Sequence, residues 1–150
     1  MKLSSRGRYG VRAMFELALQ HNEGAIPLRS VAEKQDISEH YLEQLIASLR
    51  KAGLVKSVRG AQGGYMLAKE PSQITVGDIV RVLEGPVAPV ECVNEDQKGE
   101  GCQKADECVT RMIWERLRDK INEVLDATTL EDMCKEAEKL KGENCYMYYI

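Results

Sequence analysis

The pattern of apolar and polar positions is clearest in the middle of the chain, where a helix is followed at once by a hairpin. Ser38 is suited to cap the start of this helix, and Gly53 is suited to end it. Between them, apolar residues recur at the spacing of one buried helical stripe: Leu42, Leu45, Ile46 and Leu49. The opposite face is polar and is predicted to be exposed; it consists of His40, Glu43, Gln44, Ala47, Ser48 and Lys51.

The hairpin is predicted over residues 54–68. Segment 54–58 carries the apolar and β-branched residues of a short strand, and three glycines near Arg59 permit the backbone angles of a tight turn. An exposed polar helix followed by a narrow tip with an arginine is typical of DNA-binding proteins. The helix would enter a major groove, and Arg59 would enter a minor groove. Helix-turn-helix look-alikes are common, so an ordinary helix and hairpin remains an alternative at this point.

Further helices are predicted on both sides of this unit. Segment 28–35 and the central helix are joined by three residues, which makes a helix-turn-helix. Segment 5–21 has a helical apolar stripe, and Arg6, Arg8 and Arg12 lie near its start. Basic residues there oppose the helix dipole, and contact with DNA phosphates is the favoured compensation, with plain surface charge as the alternative. Segment 75–84 begins with a capping box. It is predicted to close the core of the DNA-binding head, which we define as residues 1–85.

A long amphipathic helix is predicted over residues 106–127. Its apolar residues keep helical spacing for 22 residues, which is more than a small winged head needs for itself. We therefore expect a homodimer joined through this helix, with two heads one DNA turn apart on a palindromic site. Thr128 with Glu131 has capping-box spacing and predicts a last helix that ends by Gly142, before an aromatic tail.

These elements predict a mainly α fold with a small β-wing, in three segments. The first, 1–85, is a winged helix-turn-helix DNA-binding domain. The second, 86–105, is a cysteine-bearing sensor loop, and the third, 106–150, is a dimerisation helix with a C-terminal tail. No phosphate loop, metalloprotease motif or nucleophile elbow is present, and two histidines leave little acid-base machinery, so an enzyme is not expected.

Charge supports a DNA-binding head. Although the net charge is -3, residues 1–70 hold 11 Lys and Arg against 7 Asp and Glu, whereas residues 71–150 hold 10 against 17. Phosphate contacts need local rather than global positive charge. No apolar run approaches membrane-spanning length, and the N-terminus lacks the apolar core of a signal peptide. We therefore expect a cytoplasmic protein with no membrane partner.

Three cysteines form the second candidate site. Cys92, Cys102 and Cys108 follow the spacing C-x9-C-x5-C across the loop and into the start of the long helix. Thiolates suit iron–sulfur clusters or zinc, but this spacing lacks the paired knuckles of a zinc ribbon. Three unligated thiols remain the alternative. A fourth ligand is not obvious, and the candidates left open are Glu91, Glu95, Asp96, Asp106, Glu107, Cys134 and Cys145.

The chain resembles the IscR/NsrR/CymR family of winged-helix transcription regulators. The resemblance covers nearly the whole chain and is carried by M-K-L-S-S-R-G-R-Y-G, I-S-E-H-Y-L-E-Q-L, G-L-V-K-S-V-R-G-A-Q-G-G-Y-M-L, I-T-V-G-D-I-V-R-V-L-E-G-P and the cysteine triad. It implies a homodimer that reads DNA with the recognition helix and wing. The implied base-reading residues are Ser38, His40, Glu43 and Gln44, with Arg59 in the minor groove and Arg8 near phosphate.

For the cysteines the resemblance implies two readings. In IscR-type members the triad binds a 2Fe-2S cluster that alters promoter choice, which would mean regulation of iron–sulfur cluster assembly genes. Those members typically have a histidine ligand three residues after the last cysteine, whereas this chain has Arg111. The segments V-L-E-G-P-V-A-P-V-E and Y-M-Y-Y-I instead resemble CymR, a cluster-free repressor of cysteine metabolism that works with cysteine synthase. Tyr146–Ile150 would then dock into the enzyme, and the cysteines would be incidental or thiol sensors.

Overall fold

The computed structural model describes residues 2–97 and 102–148, which contain six α-helices and one two-stranded antiparallel sheet. The prediction of a mainly α fold with a β-wing is confirmed. The elements are α1 (Ser5–Leu19), α2 (Leu28–Gln35), α3 (Glu39–Lys51), β1 (Val55–Val58), β2 (Gly64–Leu67), α4 (Val76–Glu84), α5 (Val109–Ala127) and α6 (Leu130–Tyr148).

One hydrophobic core joins α1, α2, α3, α4 and the inner ends of the two strands. The predicted stripe of α3 supplies it with four side chains that are at most 1% exposed: Leu42, Leu45, Ile46 and Leu49. Ile79 and Leu83 of α4 close the core from the other side, as the sequence predicts. Burial of this stripe fixes the rotation of α3, so the polar face of the helix points away from the core.

The two strands of the wing pair with each other, and one of them also pairs with the head. Val55 pairs with Leu67 and Val58 with Gly64 in the antiparallel ladder. A further bridge joins Tyr65 to Ile26, whose backbone groups exchange two hydrogen bonds of 2.9 Å. This bridge holds the returning strand against the segment before α2, and the hairpin is therefore anchored at its base.

The start of α1 is compensated by a carboxylate from α4. Glu84 accepts hydrogen bonds from the backbone N–H of Ser4 at 2.6 Å, from the Ser4 hydroxyl and from the N–H of Gly7 at 3.3 Å. A negative charge at a helix N-terminus is favourable. The basic residues in the first turns of α1 are thus offset within the fold, without DNA.

The last helix, α6, packs on the head rather than beside α5. Leu130 is fully buried in the core, and its N–H donates to the carbonyl of Ile74 at 3.0 Å. The predicted capping box is displaced by one residue, because Thr129 and Asp132 exchange the two capping hydrogen bonds. The helix also continues past Gly142 to Tyr148. Tyr149 and Ile150 of the aromatic tail lie outside the described residues.

None of the helices in the described ranges is long and apolar enough to cross a membrane.

Candidate functional site

The polar face of α3 is exposed, as its sequence predicts. Ser38 caps the helix, since its hydroxyl accepts a hydrogen bond from the N–H of Tyr41 at 3.1 Å. His40, Glu43 and Gln44 lie together on this face. The His40 Nε2 is 3.4 Å from the Gln44 Nε2, and its Nδ1 is 4.0 Å from a Glu43 carboxylate oxygen. Ser38 and these three residues present hydrogen-bonding groups on one surface, which is what major-groove readout requires.

Arg59 lies between the two strands, at the exposed tip of the wing. The orientation of the wing relative to α3 is supported by a contact between Arg50 Nη1, near the end of the helix, and the Ser57 hydroxyl of β1 at 3.4 Å. This contact joins α3, the predicted major-groove helix, to the wing that carries Arg59, the predicted minor-groove residue. Their roles toward DNA stay predictions.

The three basic residues of α1 differ in their surroundings. Arg6 donates to the carbonyl of Leu83 at 3.2 Å. Arg12 donates to the Gln35 side chain at 2.7 Å and lies 5.5 Å from the ring centre of Tyr9. Both therefore have roles inside the head. Arg8 is exposed and remains the predicted phosphate contact.

The structure brings the three predicted cysteines together. Cys92, Cys102 and Cys108 line one small cavity of about 110 Å³ at the start of α5. Its other lining residues are Ala105, Thr110, Arg111 and Trp114. Cys92 and Cys102 are exposed and Cys108 is half-buried. The sequence spacing places two of these thiols on a loop, so only the folded chain could show that all three share a cavity.

Cys108 has the surroundings of an activated thiol. It is the residue that immediately precedes α5, and its Sγ lies 3.2 Å from the Thr110 hydroxyl. The hydrogen bond with Thr110 and the backbone N–H of Arg111 lower the pKa of the Cys108 thiol below its ordinary value. Cys134 on α6 differs, because burial and the nearby Glu138 and Glu131 raise its pKa.

In the described part of the chain, the cavity offers thiol donors but no completed metal site. Within the described residues, no group of three or more His, Cys, Asp or Glu side chains is arranged around one ion. A structural zinc ion needs four converging ligands. A 2Fe-2S cluster needs four ligands, usually thiolates, and three thiols line this cavity. Apart from Cys145, whose side chain is outside the described part, none of the candidate fourth ligands lines the cavity.

Arg111 occupies the cavity wall three residues after Cys108. Its Nε is buried and, among the described residues, has no hydrogen-bond acceptor. A Glu115 carboxylate oxygen is 3.2 Å away but is not aligned with the N–H bond. Arg111 is thus an ion-paired cation with an unsatisfied donor beside three thiols. The sequence indicates its position on the helix but not this environment.

A polar junction, formed by Arg81, Arg118, Asn122 and Asp126, links the cysteine loop to the head. Arg118 of α5 donates to the carbonyl of Val93 at 2.8 Å, directly after Cys92. Asn122 donates to the carbonyl of Val87 at 3.2 Å and accepts from Arg81 of α4 at 2.8 Å. The Arg81 guanidinium also makes two hydrogen bonds, of 2.7 and 2.9 Å, to the Asp126 carboxylate.

Sequence reasoning missed the polar junction, since its partners are about 25 to 45 residues apart in the chain and show no local pattern. The junction lines a cavity of about 660 Å³ between α4, the loop and α5. The Asp126 hydrogen bonds raise the pKa of Arg81. The loop that carries Cys92 is therefore attached to α5 and, through it, to α4 of the head.

The apolar stripe of α5 faces outward. None of the α5 side chains, all of which the structure describes, is buried. The exposed apolar residues are Val109, Met112, Ile113, Trp114, Leu117 and Val124. Clustered exposed apolar side chains are typical of interaction sites, so α5 is a candidate surface for contact with another chain.

Comparisons with known proteins agree with this arrangement. Residues 3–136 match the family model described as Rrf2, iron-dependent transcriptional regulator. The chain is 50% identical to the HTH-type transcriptional regulator CymR of Bacillus subtilis over the full length of both. It is 44% identical to the HTH-type transcriptional regulator IscR of Pectobacterium carotovorum, across 93% of this chain and 83% of that protein.

Solved structures of CymR and IscR proteins are similar to this chain in fold and in sequence. The structure of CymR, the global cysteine regulator of B. subtilis, has a TM-score of 0.76 and 53% identity, covering 91% of this chain and 98% of that one. The structure of T. potens IscR has the same TM-score and identity, covering 93% and 90%. The relatives are transcriptional regulators and not enzymes, as the sequence predicts. The chain belongs to the Rrf2 family of DNA-binding transcriptional regulators.

Proposed function

We propose that this protein is a dimeric regulator that senses iron–sulfur cluster status through a 2Fe-2S cluster and controls iron–sulfur cluster assembly genes. The observation that carries the proposal is the shared cavity of Cys92, Cys102 and Cys108 at the start of α5. The three thiolates would hold the cluster, whose chemistry is to bind or lose iron and sulfide and to exchange electrons. The name of the family, iron-dependent transcriptional regulator, is consistent with such a signal.

DNA would be read by the exposed face of α3 and by the wing. In this proposal Ser38, His40, Glu43 and Gln44 contact base edges, Arg59 enters the minor groove and Arg8 contacts phosphate. The exposure of all six residues supports these roles. The apolar face of α5 would pack on the same face of a second copy, which would place two heads on a palindromic site.

The cluster would act on DNA binding through the polar junction. A cluster held by Cys92 would constrain the adjacent Val93, whose carbonyl accepts a hydrogen bond from Arg118. Arg118 lies on α5 beside Asn122, which contacts α4 through Arg81. A ligand shifts promoter preference only as far as its affinity differs between two states of the protein. The junction provides a physical connection through which those states can differ.

The first test is a visible absorption spectrum with iron and sulfide assays on protein purified without oxygen. Charge-transfer bands with near-stoichiometric iron and sulfide would support the cluster. Alanine substitution of Cys92, Cys102 or Cys108 should then remove the chromophore and leave the dimer folded. Cys134→Ala is the matched control, because Cys134 lies on α6 away from the cavity. A colourless, iron-free protein that resists reconstitution would contradict the proposal.

A second candidate is a CymR-like repressor of cysteine metabolism, controlled by cysteine synthase or by thiol oxidation. It is favoured by the 50% identity to B. subtilis CymR over the full length of both chains. A solved structure of Staphylococcus aureus CymR, 41% identical to this chain, is described as an oxidised form. Deletion of Tyr146–Ile150 should abolish co-purification with cysteine synthase, and an unchanged pull-down would exclude docking through the tail.

A further inference from the structure

His40 and Gln44 form a side-chain pair on the exposed face of α3. They are one helical turn apart, which places their side chains next to each other on one side of the helix. The His40 Nε2 lies 3.4 Å from the Gln44 Nε2. The other ring nitrogen of His40, Nδ1, lies 4.0 Å from a carboxylate oxygen of Glu43. Each nitrogen of the imidazole ring therefore faces a different polar neighbour.

These two neighbours favour the same protonation state of the His40 ring. The amide nitrogen of Gln44 is a donor with no lone pair to offer, so a hydrogen bond between the two nitrogens requires a lone pair on the His40 Nε2. The neutral ring then carries its proton on Nδ1, on the side of the Glu43 carboxylate. In this arrangement Gln44 donates one amide N–H to His40.

The contact with His40 changes what the Gln44 amide can offer to a base. An amide that donates one N–H to His40 keeps one N–H and its carbonyl oxygen for DNA. Adenine presents an acceptor, N7, beside a donor, the N6 amino group, and matches this pair. Guanine presents two acceptors, N7 and O6, and the Gln44 carbonyl would face one of them. The reverse amide orientation, with the carbonyl toward His40, would leave two N–H groups and favour guanine.

The pair gains importance when DNA displaces water from it. The His40 side chain is 83% exposed, and Gln44 is exposed as well, so water competes for their contact in the free protein. At a base edge this water is removed, and an amide N–H without an acceptor then costs free energy. His40 supplies an acceptor for that N–H at the surface where the base would be read.

We propose that His40 is a positioning residue that orients the Gln44 amide for adenine, so that the base pair read by Gln44 is A·T. The inference rests on the proposed reading of DNA by the exposed face of α3, and it is independent of the cysteines. It adds a role through Gln44 to the base contact proposed for His40.

The experiment first identifies the base pair that Gln44 reads. The wild type and Gln44→Ala each select duplexes from a library of palindromic DNA with randomised half-sites, and the selected pools are sequenced. The position at which Gln44→Ala loses the wild-type preference is the position read by Gln44. Fluorescence anisotropy at one salt concentration then gives the affinity for two duplexes, with A·T and with G·C at that position. Their ratio removes the phosphate contacts that both duplexes share.

Three substitutions of His40 distinguish the two amide orientations. We expect the wild type to prefer A·T about tenfold, within the range of one bidentate base contact. His40→Ala removes the acceptor and should bring the ratio toward one, whereas His40→Gln retains an acceptor and should keep most of the preference. His40→Lys offers only donors and should shift the preference toward G·C. Lys51→Ala, at the other end of the exposed face, is the control and should leave the ratio unchanged.

A double-mutant cycle decides whether His40 acts through Gln44. In a Gln44→Ala background, His40→Ala should have no further effect on the ratio. An equal effect of His40→Ala with and without Gln44 would overturn the inference, because His40 would then act independently. A wild-type preference for G·C, or equal ratios for His40→Gln and His40→Lys, would also overturn it and leave DNA reading by α3 standing. If Gln44→Ala changes no position in the selected pools, the inference fails together with the proposed role of Gln44.

Discussion

The individual side chains of the cysteine site differ in ways that follow from their immediate neighbours. Cys108 precedes a helix, beside a hydroxyl and two backbone N–H groups, whereas Cys134 is half-buried between two glutamates. The pKa of the first thiol is lowered and that of the second is raised. Since the thiolate is the nucleophilic form, Cys108 should react faster with alkylating reagents than Cys134 at neutral pH.

Alkylation of the cluster-free protein tests this difference. At neutral pH we expect iodoacetamide to modify Cys108 before Cys134, because a lowered pKa gives Cys108 the larger thiolate fraction. The difference should shrink as the pH rises and both thiols ionise. Peptide mass spectrometry over a pH series would measure the two rates. Thr110→Val should slow the modification of Cys108 alone, and faster modification of Cys134 would contradict the assignment.

Substitution of Arg59 tests the predicted contact of the wing with a DNA minor groove. Arg59→Ala should weaken binding to a specific promoter fragment about tenfold, roughly 1.4 kcal/mol, because an arginine in a minor groove loses its contact. Lys139→Ala is a suitable control, since Lys139 is exposed on α6 and pairs with Glu136. Fluorescence anisotropy at one fixed salt concentration would measure both. Unchanged affinity for Arg59→Ala would refute the minor-groove role.

Between elements, the wing depends on a close approach that only glycine permits. Gly64 has φ +155°, and a Cβ there would collide with the carbonyl of Ile26, whose bridge to Tyr65 holds the hairpin to the head. Gly64→Ala should therefore lower the free energy of unfolding by about 2 kcal/mol. Gly142→Ala should be neutral or stabilising, because Gly142 is helical and has open space around it.

Urea unfolding at one protein concentration would compare these two alanine variants. If Gly64→Ala proved as stable as Gly142→Ala, the wing would not be held by the bridge in the way described.

The polar junction between α4 and α5 is the second contact between elements that can be measured. A double-mutant cycle on Arg81→Ala and Asp126→Ala should give a coupling of about 0.5–1 kcal/mol, since both side chains are at least one third exposed and solvent screens the pair. Thermal or urea unfolding of the four proteins supplies the cycle. Additive effects would show that the bidentate contact does not couple the helices.

The assembly of the whole protein depends on the outward apolar face of α5. Ile113 is 55% exposed in the single chain, and we expect Ile113→Glu to dissociate the proposed dimer and to reduce affinity for a palindromic site. Leu140→Glu is the control, because Leu140 is 60% exposed on α6. Sedimentation or light scattering would give the mass. A dimeric Ile113→Glu protein would exclude this face as the interface.

The elements of the head could be predicted from sequence because their signals are local. The stripe of α3, its Ser38 cap and the glycine-rich turn of the wing each lie within a few residues of the structure they determine. The capping box of the last helix was displaced by one residue, since Thr128 and Thr129 precede acidic residues at the same spacing and the sequence does not distinguish them. The packing of α6 on α1 left no local signal.

The sequence by itself determined where the helices of residues 1–85 lie, which face of α3 is buried, where the wing turns and which three thiols are candidates. Those properties follow from periodicity, capping and turn chemistry, which act over a few residues. Only the tertiary structure placed the thiols around one cavity with Arg111, set Glu84 against the start of α1 and joined Arg81 to Asp126. Such contacts link residues far apart in the chain, and they are decided by how the helices pack once their apolar faces are buried together.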